Sequence, residues 1–292
     1  GAGLVRTPGD FGLQGELPTH PEVLDWLAVD FMESGWDLQH LVRTIVESET
    51  YRQSSRADPE LVRQDPENRL LARGARFRLP SWMIRDASLA TSGLLNEAIG
   101  GPPVYPYQPI GVWKDQFMGR FEYKPSIGPS QYRRTLYAFW RRSSAPTFLF
   151  DTAMRRSCEV VQRRTNTPLH ALTLLNDTTA LEAARSLALR SLSEFPPDEG
   201  QASNGNTDVR NRRLAWMFQR VLTRNPVDSE LLVLREQLEL AFAYYVDQRA
   251  AAAKLISVGQ SESTPDNDVA SLAANMVVAN LLLNLDEAIT HE

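Results

Sequence analysis

Between Gly100 and Pro129 stand six prolines, Pro102, Pro103, Pro106, Pro109, Pro125 and Pro129, interleaved with Tyr105, Tyr107, Trp113, Phe117, Phe121 and Tyr123. Proline fixes φ and lacks an N–H, so it breaks helix interiors and central strands alike. This block therefore cannot extend any helix from either side, and it divides the chain. Long connections inside a domain are commonly functional or conceal short strands. The run Tyr132 to Arg142 sets Arg133, Thr135, Tyr137, Phe139 and Arg141 against Tyr132, Arg134, Leu136, Ala138 and Trp140. That alternation and its aromatic content favour a strand, with a helix left open, and Val112 to Tyr123 is the natural partner.

Everything before the block reads as helix. Thr19 and Glu22 have capping-box spacing with Pro21 in the first turn, and Val23, Leu24, Leu27 and Phe31 follow at helical intervals up to Gly35. Asp37 caps a second segment in which Leu38, Leu41, Val42, Ile45 and Val46 share a face. After a polar stretch from Arg52 to Gln64, Asp65-Pro66 signals a new helix, and Pro80 to Glu97 another that Gly100-Gly101 ends.

Beyond the block, Thr167 with Pro168 opens a helix reading Leu169 to Leu175. Its hydroxyl can cap an exposed N–H, and the proline gives up a donor that would have had no partner. Thr178 to Leu192, Asp208 to Thr223, and a long segment from Val227 to Val258 closed by Gly259 follow, with Pro196 to Thr207 between them as a surface loop. Val269 to Leu285 is the most apolar stretch, but Asn275, Asn280 and Asn284 interrupt it and it is shorter than the ~20 apolar residues of a membrane span. A buried terminal helix fits better. The expected fold is mainly α: a multi-helix domain with a small β-hairpin or sheet element around residues 104–142.

At 292 residues, 42% hydrophobic, the chain can bury a substantial core. A net charge of -5 and a pI near 5.5 oppose nucleic acid and anionic membranes as partners. One cysteine excludes an internal disulfide, and no Cys-x-x-Cys-His is present for covalent haem. The four histidines lack ligand spacing, so no metal site is expected, and no nucleophile elbow, phosphate loop or dinucleotide fingerprint occurs.

The densest chemistry lies from Phe150 to Asp177, where Arg155-Arg156 and Arg163-Arg164 flank Cys158. One reading is structural: these arginines, with Arg133, Arg134, Arg141 and Arg142, pair with Asp151, Asp177, Asp86 or Glu182. The other makes Arg155, Arg156, Arg163 and Arg164 an anion site, because guanidinium groups bind carboxylate or sulfate in a bidentate manner. Cys158 reads first as a small half-buried apolar residue, and more sharply as a thiolate whose pKa the arginines lower. No catalytic residue is assigned, since His170 is not evidently placed as its base.

The succession Arg133-Arg134-Thr135-Leu136-Tyr137, Phe150-Asp151, Cys158, Arg163-Arg164, Thr165 to Pro168 and Leu174 to Asp177 resembles the C-terminal domain of unknown function in planctomycete-type cytochrome c proteins. Leu4 to Gly12 and Leu283 to Glu287 extend the resemblance to nearly the whole chain. It departs from the pattern at Val160-Val161-Gln162, where arginine is usual, and at His170, where glutamine is usual. The resemblance implies an exported, periplasmic or cell-surface protein with haem on upstream cytochrome c-type modules and no cofactor in this chain. Gly1 to Arg6 carries no leader, so the start reads as a cut within a longer protein. The expectation is one accessory domain over 1–292, truncated at its N-terminus: helical over 19–99, loop and strands over 100–150, Arg/Cys turn and helices over 151–292. Its function would be non-catalytic binding of the upstream modules or of an anionic glycan. The alternative is a glycan-directed or redox-coupled enzyme, its site between the proline-rich loop and the Arg/Cys turn.

Overall fold

The computed structural model describes residues 3–10, 12–109, 111–113, 122–141, 145–151, 160, 165–196, 207–261 and 268–291. Among these the protein is mainly helical, with a two-stranded antiparallel sheet. Two compact units account for the chain. Described residues 3–78 and 290–291 belong to the first, and the rest, residue 160 apart, to the second.

In the first unit, α1 (Pro21–Glu33) and α2 (Leu38–Glu47) form a hairpin. Gly35 turns it at φ 75, and the Asp37 carboxylate accepts from the N–H groups of Gln39 (2.8 Å) and His40 (3.2 Å), as its position predicts. Thr19 does not cap α1: its N–H donates to the Leu4 carbonyl, and His20 stands at the N-cap. The next helix, α3 (Pro59–Gln64), starts at Asp58-Pro59 instead of Asp65-Pro66. Asp65 is buried, and its two oxygens accept from the Arg69 and Leu70 N–H groups, each at 2.8 Å, closing a turn. These two bonds hold its carboxyl below the ordinary carboxylate value.

The sheet also lies elsewhere than 104–142. Strand β1 (Phe77–Arg78) pairs with β2 (Thr290–His291), Phe77 opposite His291. Within 104–142 the described chain makes isolated parallel bridges, Val104 with Ala138 and Arg133 with Asn96, and two 3-10 turns, Gly128–Tyr132 and Thr135–Tyr137. The donors a ladder would need go elsewhere. Thr135 N–H meets the Asp86 carboxylate (2.9 Å), Tyr137 and Ala138 N–H groups close local turns, and the prolines supply none. Most of the expected partner, Val112 to Tyr123, lies outside the described residues.

The second unit is built on α10 (Val269–Leu283), which packs against α6 (Thr178–Glu194), α7 (Thr207–Leu222), α8 (Asp228–Asp247) and α9 (Arg249–Ile256). Apolar nearly all round, α10 is buried from Ala270 to Met276 and again at Val278, Ala279, Leu282 and Leu283. Its neighbours contribute Ala184, Leu187 and Ala188, then Leu214, Met217, Phe218, Leu234 and Leu238. The expected single helix from Val227 to Val258 is two, interrupted at Gln248. A further helix, α4 (Ser81–Ser92), ends on left-handed Gly93 before Gly100 is reached, and it packs on α6. Two short elements complete the unit: α5 (Pro168–Asn176), and α11 (Asp286–Ile289) after α10.

Candidate functional site

Besides its apolar core the second unit buries several charges, and those with described partners hold loops. From α4, Arg85 donates to the carbonyls of Arg133 (2.9 Å) and Gln131 (3.0 Å) and to Thr135 Oγ1 (3.1 Å), while Asp86 accepts from Thr135. Arg133 in turn donates to the Pro102 (3.1 Å), Ala98 (3.0 Å) and Gly100 carbonyls, its guanidinium 3.8 Å from the Tyr137 ring centroid. Of the arginines expected to pair with carboxylates, Arg133 thus grips backbone carbonyls instead. Burial pushes the Arg85 guanidinium below its ordinary value, against the raising influence of Asp86.

A second centre surrounds Glu182 of α6, which is fully buried. One of its oxygens, Oε1, accepts from the hydroxyls of Tyr107 (3.2 Å) and Tyr132 (2.9 Å) and from the N–H groups of Gln260 and Ser261 (2.7 Å). One turn along the helix, Arg185 lies 3.8 Å away and donates to the carbonyls of Ile256, Val258 and Ser261. Burial first, and the Glu182 charge second, raise both tyrosine hydroxyls above their ordinary value, so they remain donors. Of these residues, Arg85 and Arg185 escape sequence reasoning. The available signal is a charge on the apolar side of a helix: Glu182 and Arg185 stand among Leu181, Ala184, Leu187 and Ala188.

Arg155, Arg156, Arg163 and Arg164, together with Cys158 and Arg142, lie outside the described residues. Both ends of their stretch are described. Buried Asp151 accepts from the Thr165 hydroxyl (2.6 Å) and N–H (3.3 Å), and Phe150 stacks on His170 at 4.0 Å. His170, at the third position of α5, accepts the Thr167 N–H through Nδ1 (3.3 Å), the part a Glu or Gln plays in a capping box.

Three surface features remain. In the second unit, Tyr107, Gln108 and Pro109 of the proline-rich block, with Thr147 and the α5–α6 junction from Leu172 to Thr178, line a cleft of about 390 Å³. Asp177 there accepts from Thr147 Oγ1 (2.9 Å) and from the Thr179 N–H (2.9 Å). In the first unit, a groove of about 760 Å³ is walled by α2, the turn at Tyr51, the loop from Pro66 to Arg76, and the β1–β2 ribbon. The third feature is the α1–α2 hairpin itself. Neither helix has a buried residue, and Trp26, Val29, Met32, Leu38, Val42 and Ile45 are all exposed.

Among the described residues no group of three or more His, Cys, Asp or Glu could hold a metal ion, and no helix is long and apolar enough to cross a membrane. Fold and surface thus define a mainly helical protein with, among the described residues, buried charges that hold loops, two concave surfaces and an exposed apolar hairpin. The chain belongs to the PSD1 family, described as protein of unknown function (DUF1553), whose pattern matches residues 1–238. No curated protein and no solved structure matches the chain.

Proposed function

We propose that the chain is a non-catalytic, partner-binding module of an exported haem protein, with haem on cytochrome c-type modules of the same polypeptide and the whole at the periplasm or cell surface. The observation that carries the binding role is the α1–α2 hairpin. Soluble monomers rarely leave contiguous apolar patches beyond a few hundred Å² exposed. Here the strongly amphipathic α2 shows Leu38, Val42, Ile45 and Val46 at its surface, and Trp26, Val29 and Met32 add to them from α1. Aromatic and methionine side chains are those enriched in interface centres. The haem and export parts rest on the resemblance of the Arg133 to Asp177 succession. The test is binding of the isolated cytochrome c-type modules to this chain by sedimentation and calorimetry. Val42→Glu and Trp26→Glu are expected to weaken that binding by at least about tenfold while leaving the circular dichroism spectrum intact. Wild-type binding by both variants would sink the reading.

A second reading, a glycan-directed or redox-coupled enzyme, draws on the cleft at Tyr107 and Asp177, which lies beside the proline-rich block. Turnover of a glycan or of a redox dye by the wild-type chain, lost in Asp177→Asn, would favour it over the binding role.

A further inference from the structure

The groove of the first unit has walls of a distinct chemistry. Tyr51, 50% exposed, stands edge-on to His291 with ring centroids 6.2 Å apart, and His291 stacks on Phe77 at 5.0 Å with the planes only 4° apart. A ring nitrogen of His291 lies 3.3 Å from the Ala75 carbonyl, and the β1–β2 register holds Phe77 opposite it. The rings are thereby fixed before any ligand arrives, which lowers the cost of binding. Aromatic groups of this kind, apolar on their faces, pack against the C–H faces of pyranose rings.

Opposite in character is Arg73. It donates through Nη2 to the Pro66 carbonyl (3.0 Å), and among the described residues no carboxylate lies within ion-pair distance of it. Of the nearby acids, Glu67 is engaged by Arg6, and Asp65, whose carboxyl feels the Arg73 charge, accepts from the Arg69 and Leu70 N–H groups. Arg73 Nη1 and Asn68 Oδ1 are both shut from solvent without a partner, so turning the Arg73 guanidinium to present Nη1 to the groove breaks no hydrogen bond of that nitrogen. Asn68 and Leu71, also in the wall, hold φ of 52 and 53. Asparagine tolerates that region, but leucine adopts it rarely, and such positions cluster where a ligand is clamped.

We propose that this groove binds a carboxylated glycan, with uronate-type pyranose rings against Tyr51 and the Phe77–His291 pair and a carboxylate on the Arg73 guanidinium. The volume is that of a small-ligand site. Guanidinium and amide forks suit a ligand rich in hydroxyls and carboxylates. An acidic peptide fits less well, because nearby backbone groups are taken: Gly74 N–H by Ser54, the Leu71 carbonyl by Gln53, and β1 by β2.

Calorimetry on the full chain with trigalacturonate, and with the uncharged galactose trisaccharide of the same linkage, tests this. Trigalacturonate should bind at least about tenfold more tightly than its neutral counterpart, and Arg73→Gln should abolish that difference. Tyr51→Ala should weaken both sugars by about tenfold or more, while Tyr51→Phe, which keeps the ring, should bind as wild type. Unchanged circular dichroism and melting temperature identify variants that fold. Absence of trigalacturonate binding, equal affinity for the two sugars, undiminished preference in a folded Arg73→Gln, or tighter binding of tetraglutamate would each overturn the proposal. None of these outcomes depends on the haem modules.

Discussion

At residue scale, the second unit turns on Glu182 and Gly259. Gly259 sits at φ +78, and a Cβ there would come within 2.2 Å of the Glu182 carboxyl. Two demands therefore coincide: a left-handed backbone and empty space beside a buried charge. Gly259→Ala should cost more than the ~1 kcal/mol typical of alanine at positive φ, since the carboxylate must also move. Removing the carboxylate is worse. Glu182→Ala would leave Tyr107, Tyr132, the Gln260 and Ser261 N–H groups and Arg185 facing a void, and breaking a buried charged pair costs about 3 to 5 kcal/mol. Chemical denaturation measures both, and a near-neutral Glu182→Ala would show that the network adds little. Asp65 has a pH signature. Its folded-state pKa lies below the unfolded one, so its stabilisation is full at neutral pH and is lost as pH falls through the folded value. Asp65→Asn should remove that share of acid sensitivity, seen in denaturation curves taken from neutral pH into the acid range.

At the scale of elements, Arg224 joins three helices. Past the end of α7, it donates to both oxygens of Glu230 in the first turn of α8 (2.9 and 2.7 Å) and to both of Glu287 in α11 (2.8 and 2.7 Å). The Arg224 fork, more than its own N-terminal position, holds the Glu230 carboxyl below the ordinary value. Lysine offers a point charge without a fork, so Arg224→Lys should lower the melting temperature although the charge is kept. An unchanged melting temperature would mean the paired geometry adds nothing. None of this was legible, because Glu287 lies 63 positions from Arg224. What was legible has its cause in adjacent residues: Asp37 and Gly35 around the hairpin turn, Pro168 opening α5, Gly259 after α9. Asp58-Pro59 and Asp65-Pro66 show the limit. The same dipeptide opens α3 in one case, with Leu61 and Val62 behind it, and in the other accepts N–H groups in a tight turn. The groove is illegible for a further reason. Its walls come from residues 3–4, 45–55, 66–77 and 291, and no local spacing relates them.

For the whole molecule, burial is unevenly divided, and so should stability be. In the second unit, α10 buries most of its length and α6 one full face, whereas α1, α2 and α3 of the first have no buried residue. Helices owe most of their stability to tertiary packing, since nucleating one in isolation is unfavourable. The hairpin has the half-buried Leu27, Phe31 and Leu41, the Asp37 cap, the His40–Asp30 hydrogen bond (2.9 Å) and the Phe31–Trp36 ring contact to offset the entropy of ordering α1 and α2. Hydrogen exchange should therefore rank the amides of α10 and α6 as the slowest and those of α1 and α2 among the fastest helical ones. The same measurement bears on the binding role. A partner that covers Trp26 and Val42 stabilises only the closed hairpin, and its free energy of binding adds to the local opening free energy. Adding the cytochrome c-type modules proposed as its partner should slow exchange across residues 21–47 and leave α10 unchanged. Equal protection of the hairpin and α10 in the free chain would contradict the uneven division, and unaltered hairpin exchange at saturating partner would place the contact elsewhere.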